Sequence, residues 1–150
     1  MSIQFKLVTP ERTVLEEAVD AVTLPAKDGE ITVLPEHIPL VSILTAGVIT
    51  LRTADAERHL ASSGGFVEVL PESRVTVFAD TAERAEELTL EAVERARERA
   101  EAVVKEKTLA SQEEYASAVG GLERELARLK AIRRHRSRVS EHQRPFEQNQ

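Results

Sequence analysis

The sequence predicts an α+β fold in which an all-β amino-terminal half, a sandwich or a barrel, is followed by an antiparallel two-helix hairpin. Two observations predict it. Short runs rich in β-branched residues, separated by turn signals, fill the first eighty of the 150 residues. From Asp80 to about Arg138 there is no proline, and Ala, Glu and Arg dominate.

The strands are indicated by period-two alternation and by turns. Ile3, Phe5 and Leu7 alternate with polar residues, which is typical of a half-buried strand. We predict further strands over residues 19–24, 31–34, 41–44, 48–51, 66–70 and 75–78. Asp28-Gly29 between apolar runs predicts a hairpin, and the glycine pair at 64–65 predicts a turn or a bulge.

The helices are indicated by two apolar stripes with spacings of three and four. Thr89 is expected to cap the first helix, and Ser111 with Glu114 has capping-box spacing at the start of the second. A short connection predicts an antiparallel pair. The stripes are Val93, Ala96, Ala100 and Val103 in the first helix and Tyr115, Val119, Leu122, Leu126 and Leu129 in the second.

The predicted hairpin is weakly held. Its first helix offers mainly Ala and Val, and each buried CH₂ contributes only about 0.8 kcal/mol. Gly120 and Gly121 either weaken the second helix or permit close packing, and the sequence leaves both interpretations open. We therefore expect a hairpin that is able to detach from the sandwich.

Charge is distributed unevenly along the chain. Residues 1–80 carry six Lys/Arg against twelve Asp/Glu, a net charge of −6, whereas the remainder carries fourteen of each. A basic segment between 124 and 138, opposed there only by Glu125, thus follows an acidic domain, and it is either a solvated helix face or a site for acidic partners. Its basic residues are Arg124, Arg128, Lys130, Arg133, Arg134, Arg136 and Arg138.

Nothing in the sequence indicates catalysis. Cysteine is absent, and no nucleotide-binding or hydrolase motif occurs. The four histidines, at 37, 59, 135 and 142, lack metal-ligand spacing. We therefore expect no catalytic residue, metal site or cofactor. No apolar stretch approaches the roughly 20 residues that span a bilayer, and the amino terminus lacks signal-peptide features, so we expect a soluble protein that meets a membrane only through partners.

Three strings resemble those of epsilon subunits of bacterial F-type ATP synthases. They are DGEITVLPEHIPLV at residues 28–41, SGGFVEV at 63–69 and DTAERAE at 80–86. Glu36 stands where that family usually has glycine. The resemblance covers about residues 1–138 in the family's order, so the chain is identified as a member of that family.

The resemblance implies a non-catalytic subunit of the central stalk with a flattened β-sandwich over residues 1–84. The sandwich would hold the gamma shaft against the membrane ring of c subunits and couple the rotation of the ring to the catalytic head. The subunit would be peripheral, at the cytoplasmic face of the bacterial plasma membrane. The residues implied at the rotor interface are Asp28, Gly29, Glu30, His37, Pro39 and Leu40.

The resemblance also implies a regulatory hairpin over residues 85–138, followed by a polar tail over 139–150 that we expect to be disordered. An extended hairpin would meet acidic loops of the alpha and beta subunits and inhibit ATP hydrolysis, which we call the brake. The basic face implied in this inhibition consists of Arg124, Arg128, Arg133 and Arg134.

Some family members bind ATP in the compact hairpin. The resemblance gives this chain part of that site, but Thr89 replaces the family's aspartate and Ala92 its arginine. Thr89 supplies no carboxylate and Ala92 cannot contact phosphate, so we predict weak or absent ATP binding. The residues that do match are Glu83, Leu88, Arg99, Arg124 and Arg128.

Three other interpretations compete with this one. A free-standing adaptor would bind a ligand through its sandwich and a protein through its hairpin. Nucleic-acid binding through residues 124–138 is disfavoured, because the adjacent domain is acidic and no stacking aromatics accompany the arginines. A small hydrolase is the least favoured, since no constellation of catalytic residues is present.

Overall fold

Ten strands precede two helices in a computed structural model that describes residues 1–105 and 111–142. A short 3₁₀ helix, Ala85–Glu87, links the last strand to α1 (Leu90–Lys105), and α2 spans Gln112–His142. The strands are β1 (Ile3–Val8), β2 (Thr13–Val19), β3 (Ala21–Ala26), β4 (Gly29–Val33), β5 (Leu40–Leu44), β6 (Gly47–Arg52), β7 (Glu57–Ser62), β8 (Gly65–Leu70), β9 (Arg74–Ala79) and β10 (Ala82–Arg84).

The strands form one continuous sheet that folds over on itself into a β-sandwich. Its order is β10-β7-β6-β3-β5-β8-β9-β1-β2, and β4 pairs with β3. Among the described strands, β1 runs parallel to β9 and the other pairs are antiparallel. The predicted α+β fold, a sandwich followed by a helical hairpin, is confirmed.

The sandwich core consists of aliphatic side chains and one phenylalanine. Ile3, Phe5 and Leu7, which the alternation in β1 predicted to face inward, are at most 1% exposed. Burying such a side chain contributes about 1.5–3 kcal/mol. The same cluster contains Val22, Leu24, Ile49, Leu51, Leu60, Val67, Val75 and Val77, among others.

Three strands were missed from the sequence: β2, β7 and β10. The predicted strand over 19–24 is in fact the end of β2 and most of β3, with Asp20 between them. β2 lacks clean alternation because it lies at the sheet edge, with Glu16 and Glu17 adjacent. β7 begins Glu57-Arg58-His59, which is polar, because its outer surface is covered by α2 and by ion pairs.

The glycine pair at the start of β8 brings two backbones close together. Gly65 has a φ of 139°, and a Cβ there would lie 2.0 Å from the carbonyl oxygen of Phe78 on β9. A side chain at this position would therefore break the pairing of β8 with β9.

Both helix starts follow the predicted caps. The carbonyl of Thr89 accepts a hydrogen bond from the amide of Val93 at 3.0 Å, so α1 begins directly after Thr89. The amide of Glu114 donates to Ser111 Oγ at 3.1 Å, as the capping-box spacing predicted. α2 continues to His142, so it includes four residues that we had assigned to the tail, while residues 106–110 and 143–150 lie outside the described part of the chain.

The second helix has two contact faces rather than the single predicted stripe. Leu129 and Ile132 pack against Val93 of α1, while Ala131 packs against the sandwich. Tyr115 and Leu126, predicted to lie in the stripe, are about half exposed. The buried positions shift along the helix because α2 contacts β6 and β7 as well as α1.

The two glycines of α2 are not required by close packing. Among the described residues, and apart from the neighbouring backbone of α2 itself, a Cβ at Gly120 or Gly121 would meet no atom within 4 Å. Of the two interpretations of this pair, the described arrangement therefore favours a locally weakened helix, at a cost of roughly 1 kcal/mol per glycine relative to alanine.

Candidate functional site

The surface where α2 meets the sandwich brings together residues that are far apart in the sequence. At its centre, small side chains pack closely: Val48, Ala61, Ala85 and Ala131 are all buried, and Leu88 packs beside them. Small side chains bury little area, so this contact is weaker than the sandwich core. We call this packing of α2 on β6 and β7 the docked arrangement.

Arg128 anchors the docked arrangement through two carboxylates. Its Nη2 donates to Glu83 Oε1 on β10, and its Nη1 donates to Glu125 Oε1 at 2.6 Å. The Arg128 side chain is only 22% exposed and Glu125 is buried. The guanidinium therefore compensates two carboxylates in a partly desolvated place, where charge-assisted hydrogen bonds are comparatively strong.

Two further arginines of α2 face carboxylates of the sandwich. Arg134 Nη2 lies 3.7 Å from Glu30 Oε2, and Arg138 Nη2 lies 3.3 Å from Glu57 Oε2. Arg52 of β6 also approaches Glu57, at 3.4 Å. These pairs are more exposed than the Arg128 pair, so each contributes little alone, roughly 0–1 kcal/mol.

His59 lies buried beneath this group of charges. Its Nδ1 is 3.2 Å from Thr50 Oγ1, and its Nε2 is 3.4 Å from Glu57 Oε1. Burial lowers the pKa of His59 from its usual 6.5, Glu57 acts in the opposite direction, and Arg134, His135 and Arg138 lower the pKa further. The ring is therefore neutral at neutral pH.

The predicted basic face of α2 is divided in the docked arrangement. Arg128 and Arg134 are turned toward the sandwich, as described above. Arg133 is exposed, and Arg124 is half-buried, with its Nε buried and without a hydrogen-bond partner among the described residues. The four arginines therefore do not form one solvent-facing patch here.

The predicted rotor residues lie at two places on the sandwich. Asp28 lies in the exposed turn between β3 and β4, Gly29 begins β4, and Glu30 follows it and faces Arg134. His37 lies in the loop before β5, where its Nδ1 is 2.8 Å from the carbonyl oxygen of Ile38. Pro39, in the same loop, is exposed, and Leu40, the first residue of β5, is half-buried.

The predicted nucleotide residues are only partly brought together. Glu83 and Arg128 form an ion pair with each other. Leu88 packs into the clusters that join the sandwich, α1 and α2, which is a structural role. Arg99 is exposed on α1, and Arg124 is half-buried on α2.

An exposed apolar strip on β5, β8 and β9 was missed from the sequence. Ile43 pairs with Phe66, which pairs with Phe78, and the two phenylalanine rings stack with centroids 4.8 Å apart. Val41 extends the strip along β5, and the four side chains are 37–71% exposed. The sequence did contain a signal for this strip. On β8 the exposed Phe66 is next to the buried Val67, and on β9 the exposed Phe78 is next to the buried Val77, so both faces of these strands carry apolar residues.

The described residues offer neither a membrane span nor a metal site. Over residues 1–105 and 111–142, neither helix combines the length and the apolar character that crossing a membrane requires. In the same part of the chain, no group of three or more His, Asp or Glu side chains is arranged to hold a metal ion.

Comparison with known proteins decides the family. The family model for the β-sandwich domain of the ATP synthase delta/epsilon chain matches residues 2–85. The ATP synthase epsilon chain of Moorella thermoacetica is 44% identical over 131 residues, covering 87% of this chain and 96% of that one. The epsilon chain of Herpetosiphon aurantiacus is 41% identical, covering 92% and 99%. This chain belongs to the ATP synthase epsilon chain family.

Solved structures agree with this family on the fold. A chain of the Euglena gracilis mitochondrial ATP synthase, from a structure of OSCP, F1 and the c-ring, matches with a TM-score of 0.69 at 22% identity, covering 92% of this chain and 81% of that one. A chain of the Tetrahymena thermophila mitochondrial ATP synthase central stalk and c-ring matches with a TM-score of 0.63 at 13% identity, covering 88% and 97%. Both solved chains thus share the fold of this chain.

Proposed function

We propose that this chain is a non-catalytic central-stalk subunit of a proton-translocating F-type ATP synthase, and that its hairpin inhibits ATP hydrolysis only when it leaves the docked arrangement. The sandwich couples the membrane ring to the catalytic head, and α2 is the movable element. The subunit lies at the cytoplasmic face of the plasma membrane and reaches the membrane only through its partners.

The apolar strip supports the coupling role. A contiguous, exposed apolar surface with stacked aromatic rings is typical of a protein–protein contact. We assign the gamma shaft to this strip and the c subunits to the turn at Asp28 and Gly29. Replacing Phe66 with serine is expected to weaken copurification of the chain with gamma. Thr76→Ser, on the face of β9 that also carries Phe78, is the control and should leave copurification unchanged.

The observation that carries the brake proposal is the pairing of its arginines. Arg128, a member of the predicted inhibitory face, donates to Glu83 of the sandwich, and Arg134, a second member, forms an ion pair with Glu30 at 3.7 Å. While these pairs persist, the same guanidinium groups cannot meet acidic loops of the alpha and beta subunits. Docking and inhibition therefore compete for the same side chains, which gives a two-state element.

Locking the docked arrangement tests the brake. The chain has no native cysteine, so Ala61→Cys on β7 and Ala131→Cys on α2 introduce a single pair within one buried cluster. Oxidation of this double variant in the assembled complex is expected to raise ATP hydrolysis to the rate seen with a chain that ends at Glu87. Reduction is expected to restore the lower rate of the full chain.

The reference chain and controls make the outcome decisive. Ending the chain at Glu87 retains β10 and the buried Ala85, both of which complete the sandwich. Each single cysteine variant should be insensitive to oxidation. If the locked complex stays as slow as the reduced one, undocking is not required for inhibition. If the full and shortened chains give equal rates, the brake itself is refuted.

We also infer that ATP binding by the hairpin is weak or absent. Arg128, one of the matching nucleotide residues, is already engaged by two carboxylates, and Ala92 has replaced the family's arginine. A phosphate would have to displace Glu83 and Glu125 from the guanidinium. Calorimetric titration of the isolated chain with ATP is expected to give no affinity tighter than about 1 mM, and a tighter complex would contradict this inference.

A further inference from the structure

A polar cavity of about 390 Å³ lies between the sandwich and the last turns of α2. α2 contributes Arg134, Ser137 and Arg138 to its walls, and strands of the sandwich contribute the rest. Neither Glu83 nor Arg128 lines it, so it is separate from the predicted nucleotide residues. Residues of α2 and residues of the sandwich therefore line the same cavity.

The walls of this cavity carry more positive than negative charge. Arg52, Arg134 and Arg138 are opposed by Glu30 and Glu57, which leaves one positive charge in excess while His59 is neutral. The Arg134–Glu30 pair, at 3.7 Å, is too long for a direct hydrogen bond. Guanidinium groups present planar sets of donors that suit the oxygens of an oxyanion.

His59 adds a buried donor to the cavity wall. The residue is 5% exposed, and its Nε2 has no hydrogen-bond partner among the described residues. Because Nε2 faces the Glu57 carboxylate and Thr50 can donate to Nδ1, the neutral ring carries its proton on Nε2. Proteins seldom leave such a buried polar group unpaired, because the group has lost its hydrogen bonds to water and gained none in exchange.

We propose that this cavity binds inorganic phosphate and that the bound ion fastens α2 to the sandwich. Arg134 and Arg138 hold the ion from the helix, and Arg52 and the Nε2–H of His59 hold it from the sandwich. The Ser137 hydroxyl lies on the helix side as a further donor. The single excess positive charge suits one small anion and disfavours a polyphosphate chain.

The two carboxylates select phosphate over other oxyanions. At neutral pH phosphate keeps at least one P–OH group, which donates a hydrogen bond to Glu57 or Glu30. Sulfate is fully ionised and offers only acceptors, so both carboxylates would repel it without a compensating hydrogen bond. A site lined by arginines alone would not distinguish the two ions.

Binding at this place is linked to docking. Because the helix and the sandwich both contribute donors, phosphate binds the docked arrangement and stabilises it in proportion to its concentration above the dissociation constant. Phosphate is a substrate of ATP synthesis, so high phosphate would keep the hairpin away from the catalytic head. Only this last consequence depends on the proposed brake.

Titration of the isolated full chain with phosphate and with sulfate, at neutral pH and constant ionic strength, tests the site without any activity measurement. We expect saturable phosphate binding by calorimetry, shifts of the His59 ring resonances, and slower amide exchange in α2. Sulfate is expected to bind at least about tenfold more weakly. Equal responses to both ions would overturn the proposal, as would tighter binding of AMP or ATP than of phosphate.

Variants distinguish loss of the site from loss of docking. They are made in the oxidised Ala61→Cys, Ala131→Cys background, where α2 cannot leave. There Arg134→Gln is expected to weaken phosphate binding at least about tenfold, while Arg133→Gln, at the exposed neighbouring position, leaves it unchanged. Glu57→Gln is expected to narrow the preference for phosphate over sulfate. Unchanged phosphate binding in Arg134→Gln would place the ion elsewhere.

Discussion

The sandwich and the docked hairpin are held by different forces. The sandwich buries large aliphatic side chains from nearly every strand in one cluster, and this hydrophobic contribution does not depend on the charges of side chains. The surface between α2 and the sandwich buries a few alanines and one valine, flanked by ion pairs. Changes in charge are therefore expected to affect the docking of α2 more than the stability of the sandwich.

The two regions are expected to differ most in how their stability responds when a buried leucine is shortened to alanine. Leu51→Ala in β6 removes a side chain that is 1% exposed, and we expect it to lower the free energy of unfolding of the sandwich by about 3 kcal/mol. Leu129→Ala removes an equally buried leucine of α2. It is expected to abolish amide protection in the hairpin while the urea midpoint of the sandwich changes little. Equal loss of sandwich stability in both would mean that the two regions unfold as one.

Arg128→Ala is the sharpest test of the ion pairs. It leaves Glu83 and the buried Glu125 without their shared cation, and we expect docking to weaken by about 2 kcal/mol. Amide exchange in the second half of α2 should therefore speed up by roughly thirtyfold. Arg133→Ala, at an exposed position of the same helix, is the matched control and should leave exchange unchanged. Unchanged exchange in both would show that the alanine contacts suffice.

The same contrast explains what the sequence could predict. In β1 the pattern is local: each inward side chain is two residues from the next, so Ile3, Phe5 and Leu7 identify the strand on their own. β7 could not be recognised in this way, because Glu57 and His59 face α2, whose residues come about eighty positions later. The polar residues of β7 are explained only by the contacts that they make with α2.

The candidate site was predicted residue by residue but not as an arrangement. Glu30 was assigned to the rotor and Arg134 to the brake, and the docked arrangement pairs them. The acidic first half and the basic segment at 124–138 suggested an external acidic partner, whereas part of that charge is satisfied within the chain. Composition reports the sum of charges, and only the fold determines which of them meet.

Lowering the pH should weaken docking without affecting the sandwich core. The pKa of His59 is lowered in the docked arrangement, so protonation of the ring favours the state in which α2 has left the sandwich. Docking should therefore be strongest above pH 6.5 and decline below it. The groups that face the ring are Thr50, Arg52, Glu57, Arg134, His135 and Arg138. Because Glu57 offsets part of the repulsion, we expect a smaller effect than that of Arg128→Ala.

Amide exchange in α2 between pH 7.5 and 5.5, corrected for intrinsic rates, measures this dependence at about one unit on either side of the ordinary histidine pKa. His59→Gln keeps a polar side chain beside Thr50 but cannot take up a proton. The variant is expected to show a flatter pH dependence. If its dependence equals that of the natural chain, His59 is not responsible for the effect of pH on docking.

The smallest expected effect lies in a loop of the sandwich. Glu36 has a φ of 64°, in the left-handed region, and its amide donates to Ser73 Oγ at 2.8 Å. A side chain there costs roughly 1–2 kcal/mol, part of which glycine would give back through its greater freedom in the unfolded chain. Glu36→Gly is therefore expected to raise the free energy of unfolding by about 0.5–1 kcal/mol. Glu36→Ala retains the Cβ and should gain nothing, so an equal gain in both variants would assign the effect to the lost charge instead of the backbone.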